Sequence, residues 1–283
     1  MSRRIELAVA GCIVCAPMPL AAEVQSPAGV SAIGLTFDDE FDKFVSSPDG
    51  NAGWMTAYPY EGEAARALPA PVSANREAQF YSDSSVGSNP FSVHDGVLHI
   101  SAAPSTGHVP HGLHYTSGII TTLKSFSQTY GYFEIRAQVP AGKGLWPAFW
   151  LLPVDMSWPP EIDAMEAFGD TNVANGEGSR TQIHYASHTP PDNQICGAWY
   201  DTKIDVTAGF HTYGVDWEPD SITYYFDGVP YANCPGNPAA NKPFYMIVNL
   251  AVGGPGSWPG LPDATNIWPA VMKVDYIRAY QRK

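Results

Sequence analysis

Apolar and polar residues alternate along several segments of this chain, and this alternation constrains its fold more than any other feature of the sequence. In residues 132–139 every second position is apolar, at Phe133, Ile135, Ala137 and Val139. A period of two is typical of a β-strand with one buried face. Similar signals predict strands at Val97–Ala102, Gly118–Thr122, Thr181–Ala186, His211–Trp217, Phe244–Ala251 and Val271–Gln281. Because no segment long enough for a typical helix has helical spacing, we expect an all-β sandwich of two antiparallel sheets.

The connections between these strands are rich in glycine and proline, with 26 residues of each type in the chain. Asp227-Gly228 separates Ser221–Phe226 from Val229–Tyr231, which predicts a tight hairpin whose two turn residues have positive φ. Longer turn-rich segments are predicted to be loops, at 54–75, 103–117, 169–180, 187–200 and 253–270. Long loops on a rigid sheet commonly build a binding rim, and we expect that role here.

Residues 1–22 have the order of a secretion signal. Basic residues at positions 3 and 4 precede a mostly apolar stretch from Ile5 to Leu20, and small residues follow. We therefore expect residues 23–283 to be exported as one domain, which is then secreted or periplasmic. Val9–Cys12 also resembles a lipoprotein cleavage box, so anchoring at Cys12 is the alternative.

The chain carries 15 Lys plus Arg against 28 Asp plus Glu, a net charge of −13. This acidic excess argues against nucleic acid and anionic membranes as partners, and after export we expect a monomer that binds no membrane. Once the signal is removed, Cys196 and Cys234 remain as an even pair in an oxidising compartment. They predict a disulfide between two loops, with two buried free thiols as the alternative.

Three carboxylates lie within six residues of a predicted strand, at Glu161, Asp163 and Glu166. In a regular strand, Glu166 would face away from the other two acids. One extra residue around Ala164 and Met165, a β-bulge, would return Glu166 to their face. Like charges in a row repel one another, which costs stability unless the site uses a shared proton. An exposed strand whose acids are only solvated is the alternative.

Hydrolysis of a glycosidic bond with retention of configuration uses a carboxyl pair of this kind. One carboxylate attacks the anomeric carbon, and a second carboxyl about 5–5.5 Å away protonates the leaving oxygen. The outer acids, Glu161 and Glu166, suit these two roles. Asp163 lies between them, where it can hydrogen-bond the nucleophile and share its proton.

Six blocks of sequence, in order, resemble glycoside hydrolase family 16, the bacterial endo-β-glucanase and laminarinase group. They are Phe37–Asp42, Asn75–Tyr81, Tyr130–Arg136, Gly144–Trp150, Glu161–Glu166, and Asn249–Gly254 with Val274–Arg278. The likeness covers nearly the whole mature chain. It implies a concanavalin A-like β-jelly roll with a concave substrate cleft and endo-acting hydrolysis. It also implies Glu161 as nucleophile, Glu166 as acid/base and Asp163 as the assisting carboxylate.

A glucan chain has apolar sugar faces rimmed by hydroxyl groups, so a cleft for it needs aromatic platforms beside polar groups. The resemblance implies that Trp146 forms the floor of the cleft beside the cleavage point. Trp150 lies four positions later, hence on the same strand face, and is either a second platform or a core residue. Trp258, in a turn-rich loop, is either a platform or packs under its own chain.

The resemblance also implies polar contacts and a metal site. Asn75 and Arg76 match residues that contact the sugars upstream of the cut. His184 matches a histidine near the leaving side, although a lone strand histidine is often structural. No cofactor is expected for catalysis. A structural calcium is implied at Glu40, the backbone oxygen of Gly96, and Asp275, where hard oxygen ligands would tie the chain ends together.

The expected substrate is thus a polysaccharide, either a β-1,3- or mixed β-1,3/1,4-linked glucan or a bacterial exopolysaccharide. The acidic strand alone does not select the sugar. Trp158-Pro159-Pro160 differs from the Gly-containing lead-in of laminarinases and looks more like that of enzymes that trim bacterial exopolysaccharides. The alternatives are a non-catalytic carbohydrate-binding jelly roll, a transglycosylase and a galactan hydrolase on the same fold.

Overall fold

The computed structural model of the chain describes residues 33–58, 66, 75–107, 112–170, 178–191 and 193–282. The predicted secretion signal lies outside these residues, and so do parts of the predicted loops 54–75, 103–117 and 169–180. The described residues contain no α-helix, and hence no helix long and apolar enough to cross a membrane. Their strands are β1 (Ile33–Asp39), β2 (Ser46–Ser47), β3 (Trp54–Met55), β4 (Gln79–Tyr81), β5 (Phe91–His94), β6 (Val97–Pro104), β7 (Tyr115–Ser117), β8 (Ile119–Thr121), β9 (Gly131–Gln138), β10 (Leu145–Pro153), β11 (Glu161–Ala167), β12 (Gln182–Thr189), β13 (Asn193–Asp201), β14 (His211–Trp217), β15 (Ser221–Phe226), β16 (Val229–Pro235), β17 (Phe244–Val252) and β18 (Ala270–Arg282).

These strands form two sheets. The ten-stranded sheet has the order β16-β15-β14-β9-β18-β6-β7-β4, with β1 also paired to β18 and β5 to β6. The eight-stranded sheet has the order β13-β12-β11-β10-β17-β8-β3-β2. Neighbouring strands are antiparallel apart from two short parallel pairs, β2 with β3 and β4 with β7. The prediction of two antiparallel sheets is therefore right for all the long strands.

One hydrophobic core lies between the two sheets. Its fully buried members include Phe133 and Ile135 from the ten-stranded sheet, and Phe149, Leu151 and Val248 from the eight-stranded sheet. On β10 these inward residues alternate with outward ones, as a strand period of two requires. The inward faces bury the apolar surface that stabilises the sandwich, and the outward face of the eight-stranded sheet is left to carry functional groups.

The local predictions are mostly confirmed. Each predicted strand corresponds to an observed strand within a few residues. In the predicted hairpin, Phe226 pairs with Val229 and both turn residues have positive φ, 47° at Asp227 and 72° at Gly228. The predicted loop at 187–200 is wrong, because β12 continues to Thr189 and β13 begins at Asn193.

Cys196 and Cys234 form the predicted disulfide, with their Cα atoms 5.8 Å apart. The disulfide does not join two loops, however. Cys196 lies on β13 and Cys234 on β16, and these are edge strands of the two different sheets. The bond therefore connects the sheets at one edge of the sandwich. There β13 pairs with β12, which in turn pairs with the acidic strand β11.

Candidate active site

Strand β11 carries the three acids and contains the predicted bulge. Asp163 pairs with Ala186 of β12 and Glu166 pairs with His184, so three steps along β11 match two steps along β12. Ala164 and Met165 both point into the core, where each is fully buried. Because these two consecutive side chains share the inner face, Glu166 returns to the outer face with the other acids.

The three carboxyls form one connected group on the outer face of the eight-stranded sheet. Asp163 hydrogen-bonds Glu161 and is also close enough to Glu166 for the charge of that residue to affect it. Asp163 is only 3% exposed, whereas Glu161 and Glu166 are half-buried and reachable from solvent. The middle acid is thus the buried one, and the two outer acids face the space above the sheet.

Burial and mutual repulsion control the protonation of this group. The pKa of Glu161 lies well above its ordinary value, because the carboxyl is desolvated and Asp163 is adjacent. The pKa of Asp163 is also raised well above its ordinary value, by desolvation and by the charge of Glu166. We treat Glu161 and Asp163 as a pair that retains one shared proton to a higher pH than isolated carboxyls would.

Glu166 is held by two side chains that the sequence analysis names as candidate binding residues. The indole Nε1–H of Trp146 donates to Glu166 Oε1 at 2.9 Å, and His184 Nδ1 lies 2.8 Å from Oε2. Trp258 packs edge-on against Trp146 at a centroid distance of 5.5 Å and against His184 at 5.0 Å. Three candidate binding residues therefore surround the candidate acid/base.

Trp150 lies on the same outer face, partly buried beside a small cluster separate from the main core. Its indole Nε1–H donates to Asn249 Oδ1 at 2.8 Å, and Asn249 Nδ2–H donates to the Tyr81 hydroxyl at 2.9 Å. That hydroxyl lies 3.4 Å from Glu77 Oε2. Burial raises the pKa of Glu77, and Asn75 is among the groups that hydrogen-bond it. A chain of polar contacts thus connects two candidate binding residues, Asn75 and Trp150.

Arg76 is exposed and lies beside the loop that carries Trp258. Its backbone oxygen accepts a hydrogen bond from Gly254 N–H at 2.9 Å. Gly256 has φ +76°, and a Cβ there would meet Arg76 Nη1 at 2.3 Å. The close approach explains the glycine, and it places the guanidinium next to the aromatic loop at one side of the cleft.

Three residues of the site were missed by the sequence reasoning. Trp158 Nε1–H donates to Glu161 Oε2 at 2.7 Å, and His188 Nε2 lies 3.3 Å from Asp163 Oδ2. Trp199 packs against Phe168 and His184, at centroid distances of 4.9 and 5.3 Å. His188 is four residues after His184 on one strand, a spacing that signals a shared face. Trp199 gives no signal in the sequence, because it lies in the predicted loop 187–200.

Metal-ligating side chains come together in one group within the described part of the chain. Glu161, Asp163 and His188 offer ligand atoms within 4.8 Å of one another, but these are the acids of the cleft itself. The predicted calcium residues lie elsewhere, on β18 and at the ends of its neighbours β1 and β6. There β6 pairs up to Val274 and β1 pairs from Ile277, so the end of β1 and the start of β6 flank the gap at Asp275.

The side chains in that gap each contact an arginine. Glu40 Oε1 accepts a hydrogen bond from Arg278 Nε at 2.8 Å, and Asp275 Oδ2 is paired with Arg136. Gly96 lies beside the backbone oxygen of Glu40, 3.8 Å from where its own Cβ would be. Both carboxylates therefore already have an arginine partner, and the calcium site stays a prediction.

The chain is similar in sequence to a known family of enzymes and to several of its members. The sequence model described as Glycosyl hydrolases family 16 matches residues 78–278. The chain is 41% identical over 266 residues to the endo-1,3-1,4-beta-glycanase ExsH of Rhizobium meliloti (strain 1021), covering 88% of this chain and 52% of that protein. It is 32% identical over 276 residues to the beta-glucanase of Rhodothermus marinus, covering 85% of this chain and 88% of that protein.

Among solved structures, the chain is similar to the catalytic domain of an endo-1,3-beta-glucanase (laminarinase) from Thermotoga petrophila RKU-1. The TM-score is 0.73 at 30% identity, over 90% of this chain and 100% of that domain. This likeness confirms the predicted β-jelly roll. The chain spans only about half the length of ExsH, at 52%. The likeness alone therefore does not assign the activity of that longer protein to this chain.

Proposed function

Because this chain belongs to glycosyl hydrolase family 16, we propose that it is an exported endo-β-glycanase that cleaves a polysaccharide with retention of configuration. The bonds cut are internal β-1,3 or mixed β-1,3/1,4 linkages of a glucan or bacterial exopolysaccharide. The observation that carries this proposal is the bulge in β11, which puts Glu161 and Glu166 on one face with Asp163 between them. Catalysis in this family requires no cofactor.

In the first step, an oxygen of Glu161 attacks the anomeric carbon of the bound sugar. The bond from that carbon to the bridging oxygen breaks, and Glu166 gives its proton to the departing oxygen. The products are a sugar ester of Glu161 and a free chain end. Asp163 hydrogen-bonds Glu161, so it can hold the shared proton while its neighbour gains and loses charge.

In the second step, water attacks the same carbon from the face that the leaving group vacated. Glu166 accepts a proton from that water, the ester bond to Glu161 breaks, and both acids return to their starting states. Two inversions at one carbon leave the configuration unchanged. Trp146 and His184 bond opposite oxygens of Glu166, so they fix its position over the bond that breaks.

The linkage is proposed from two features. ExsH, whose name specifies 1,3-1,4-beta-glycanase activity, shares 41% of aligned residues with this chain, against 32% for the Rhodothermus marinus beta-glucanase. The Trp158-Pro159-Pro160 lead-in also resembles that of enzymes that trim exopolysaccharides. We therefore expect a mixed-linkage exopolysaccharide to be a better substrate than laminarin.

The direct test incubates the mature protein with laminarin, lichenan, agarose and a succinylated exopolysaccharide, and sizes the products. Internal cleavage of a β-1,3 or mixed-linked chain supports the proposal. Binding without new reducing ends indicates a lectin, products longer than the substrate indicate a transglycosylase, and cleavage of agarose alone indicates a galactan hydrolase. Any of these three results would replace the assignment as an endo-β-glycanase of β-1,3 or mixed-linked chains.

Two variants test the roles of the outer acids. Glu161→Gln should abolish turnover while leaving affinity for the polysaccharide nearly intact, because the amide cannot attack but fills the same volume. Glu166→Ala should slow substrates with poor leaving groups most, and added azide should partly restore cleavage of activated aryl glycosides. Full activity in Glu161→Gln would remove that residue from the nucleophile role.

We further propose a structural calcium ion held by Glu40, Gly96 and Asp275 at the gap along β18. A hard cation with oxygen ligands there would tie the first and last described strands together. Calcium should raise the Tm relative to a chelator, by mass action on the folded state. Asp275→Asn should remove most of that calcium response, and magnesium should not replace calcium. Equal Tm values with calcium and with chelator would refute the site.

A further inference from the structure

Trp158 is a large exposed aromatic residue in direct contact with the candidate nucleophile, and the mechanism above gives it no role. Its side chain is 55% exposed, yet its indole Nε1–H donates to Glu161 Oε2 at 2.7 Å. An exposed indole is ordinarily free to adopt several rotamers. A short, directed hydrogen bond to a half-buried, functional carboxylate therefore calls for an explanation.

The segment before Trp158 is anchored. Ser157 N–H and Oγ–H both donate to Asp155 Oδ1, at 3.1 and 2.7 Å. Lys242 Nζ bridges from the neighbouring segment to Asp155 Oδ2 at 2.8 Å and to Ser157 Oγ at 3.2 Å. Because only Pro159 and Pro160 separate the indole from Glu161, this anchored turn fixes where the ring can lie.

We propose that Trp158 is the positioning residue of the nucleophile, and that its exposed ring forms a wall of the cleft for the sugar that Glu161 attacks. This inference rests on the proposed function. The indole N–H holds Oε2, so it fixes the orientation of the carboxylate that attacks the anomeric carbon. An indole face is also a suitable surface for the apolar face of a sugar ring. One side chain would then set both the orientation of the attacking carboxylate and the surface that the sugar contacts.

The ionisable groups around Glu161 determine how the hydrogen bond from Trp158 affects the protonation of Glu161. Asp163 lies next to it on β11, with Glu166 beyond, and His188 of β12 is paired with it in register. On the segment side, the positive charge of Lys242 is compensated by Asp155. Trp158 is the neutral donor in this set, so it favours the ionised nucleophile without adding charge, and its bond lowers the pKa of Glu161.

The test separates the contribution of the indole N–H of Trp158 from that of its aromatic ring. Trp158→Phe keeps an aromatic face but removes the donor. It should lower kcat/KM by about 10- to 100-fold, the factor expected for one lost hydrogen bond to a charged group. The loss should fall on kcat with KM nearly unchanged, and the acidic limb of the pH profile should move to higher pH. Trp158→Ala should raise KM as well, because the ring is gone.

Trp268→Phe is the matched control. That indole packs on Tyr115 at a centroid distance of 5.2 Å, away from the acids, and the same substitution there should leave kcat, KM and the pH profile at wild-type values. If Trp158→Phe also retains wild-type kinetics and pH profile while the wild type cleaves polysaccharide, the inference is overturned and the proposed function stands.

A second measurement does not depend on turnover. With 15N-labelled indoles, the chain's eight tryptophans give separate signals, and the Trp158 signal is the one missing from Trp158→Phe. Its chemical shift should change with pH as the Glu161 pair ionises, and that change should disappear in Glu161→Gln. A Trp158 signal that behaves identically in both proteins would overturn the contact. Should the wild type cleave no polysaccharide, the proposed function fails and this titration still decides the contact.

Discussion

The buried acid Asp163 is the residue at which catalysis and stability oppose each other. It is 3% exposed and lies in the field of Glu166, and these two facts raise its pKa well above the ordinary value, whereas its hydrogen bond to Glu161 acts to lower it. His188 Nε2, at 3.3 Å, gives a cationic partner only when that histidine is protonated. A carboxyl in such a place destabilises the folded state whenever it must ionise.

Asp163→Asn should therefore stabilise the protein near neutral pH while slowing turnover. Between its ordinary and its raised pKa, the wild-type carboxyl binds more protons folded than unfolded, so folding stability falls as pH rises through that window. The neutral amide has no such loss. The gain in Tm should be largest at neutral pH and should vanish below about pH 4, where Asp is protonated in both states. In a domain of this size, 1 kcal/mol corresponds to about 2–4 °C.

Thermal unfolding of wild type and variant across this pH range checks the expectation. Asp220→Asn is the control, because Asp220 is exposed and far along the chain in the turn before β15. A variant that is less stable than wild type at neutral pH would mean that the hydrogen bonds of Asp163 outweigh its charge repulsion.

At the level of the strand, the bulge in β11 corresponds to one extra residue, Ala164, between the acids. Without Ala164, the segment would alternate regularly, with Glu161, Asp163 and Glu166 outward and Ile162, Met165 and Ala167 inward. The pairing of Asp163 with Ala186 and of Glu166 with His184 already spans two steps on β12, so a regular strand would fit the same partners. The extra residue Ala164 and the bulge that accommodates it thus lengthen the spacing of the acids in sequence, and the acids share the same face as in a regular strand without that residue.

Deletion of Ala164 should consequently give a folded protein with measurable glycanase activity. Deletion of both Ala164 and Met165 is the matched control, since it shifts the alternation by one and turns Glu166 into the core. That variant should lose activity, and it should also be destabilised by a buried carboxyl and by the loss of a fully buried methionine, the latter costing about 2–5 kcal/mol. Activity in the double deletion but not in the single one would contradict this reading of the strand.

The sequence was most informative where the element itself carried the signal. Three acids with the spacing of Glu161, Asp163 and Glu166 required a bulge, and Asp227-Gly228 required a tight hairpin. Strand β13 was missed because Gly197 and the proline-rich turn before it weaken the local β signal, while pairing with β12 supplies the order. The contact of Trp158 with Glu161 was missed for a similar reason, because it depends on how the chain turns through Asp155 and Lys242.

Across the whole molecule, the two sheets are joined by more than their core. The disulfide Cys196–Cys234 connects the edge strands β13 and β16, whose separation of 38 residues in sequence spans β14 and β15. At another part of the sandwich, β18 pairs with β1, so the first and last described strands lie side by side. Long-range pairings of this kind are set by tertiary packing, and period-two patterns specify strands without specifying their order.

The net charge of the whole chain gives a last prediction, about substrate selection. With 28 acidic and 15 basic residues, the protein should repel an anionic polysaccharide at long range. Raising the ionic strength from about 0.01 M to about 0.1 M shortens the screening length from about 30 Å to about 10 Å. The kcat/KM for a succinylated exopolysaccharide should therefore increase with salt, whereas the value for the same polymer after removal of its succinyl groups should stay nearly constant. Using one polymer in two charge states keeps the linkage and the chain length fixed. If kcat/KM for the succinylated form fell with salt instead, the cleft would have to attract the acidic groups locally, and the acidic excess would not govern which polysaccharide is cleaved.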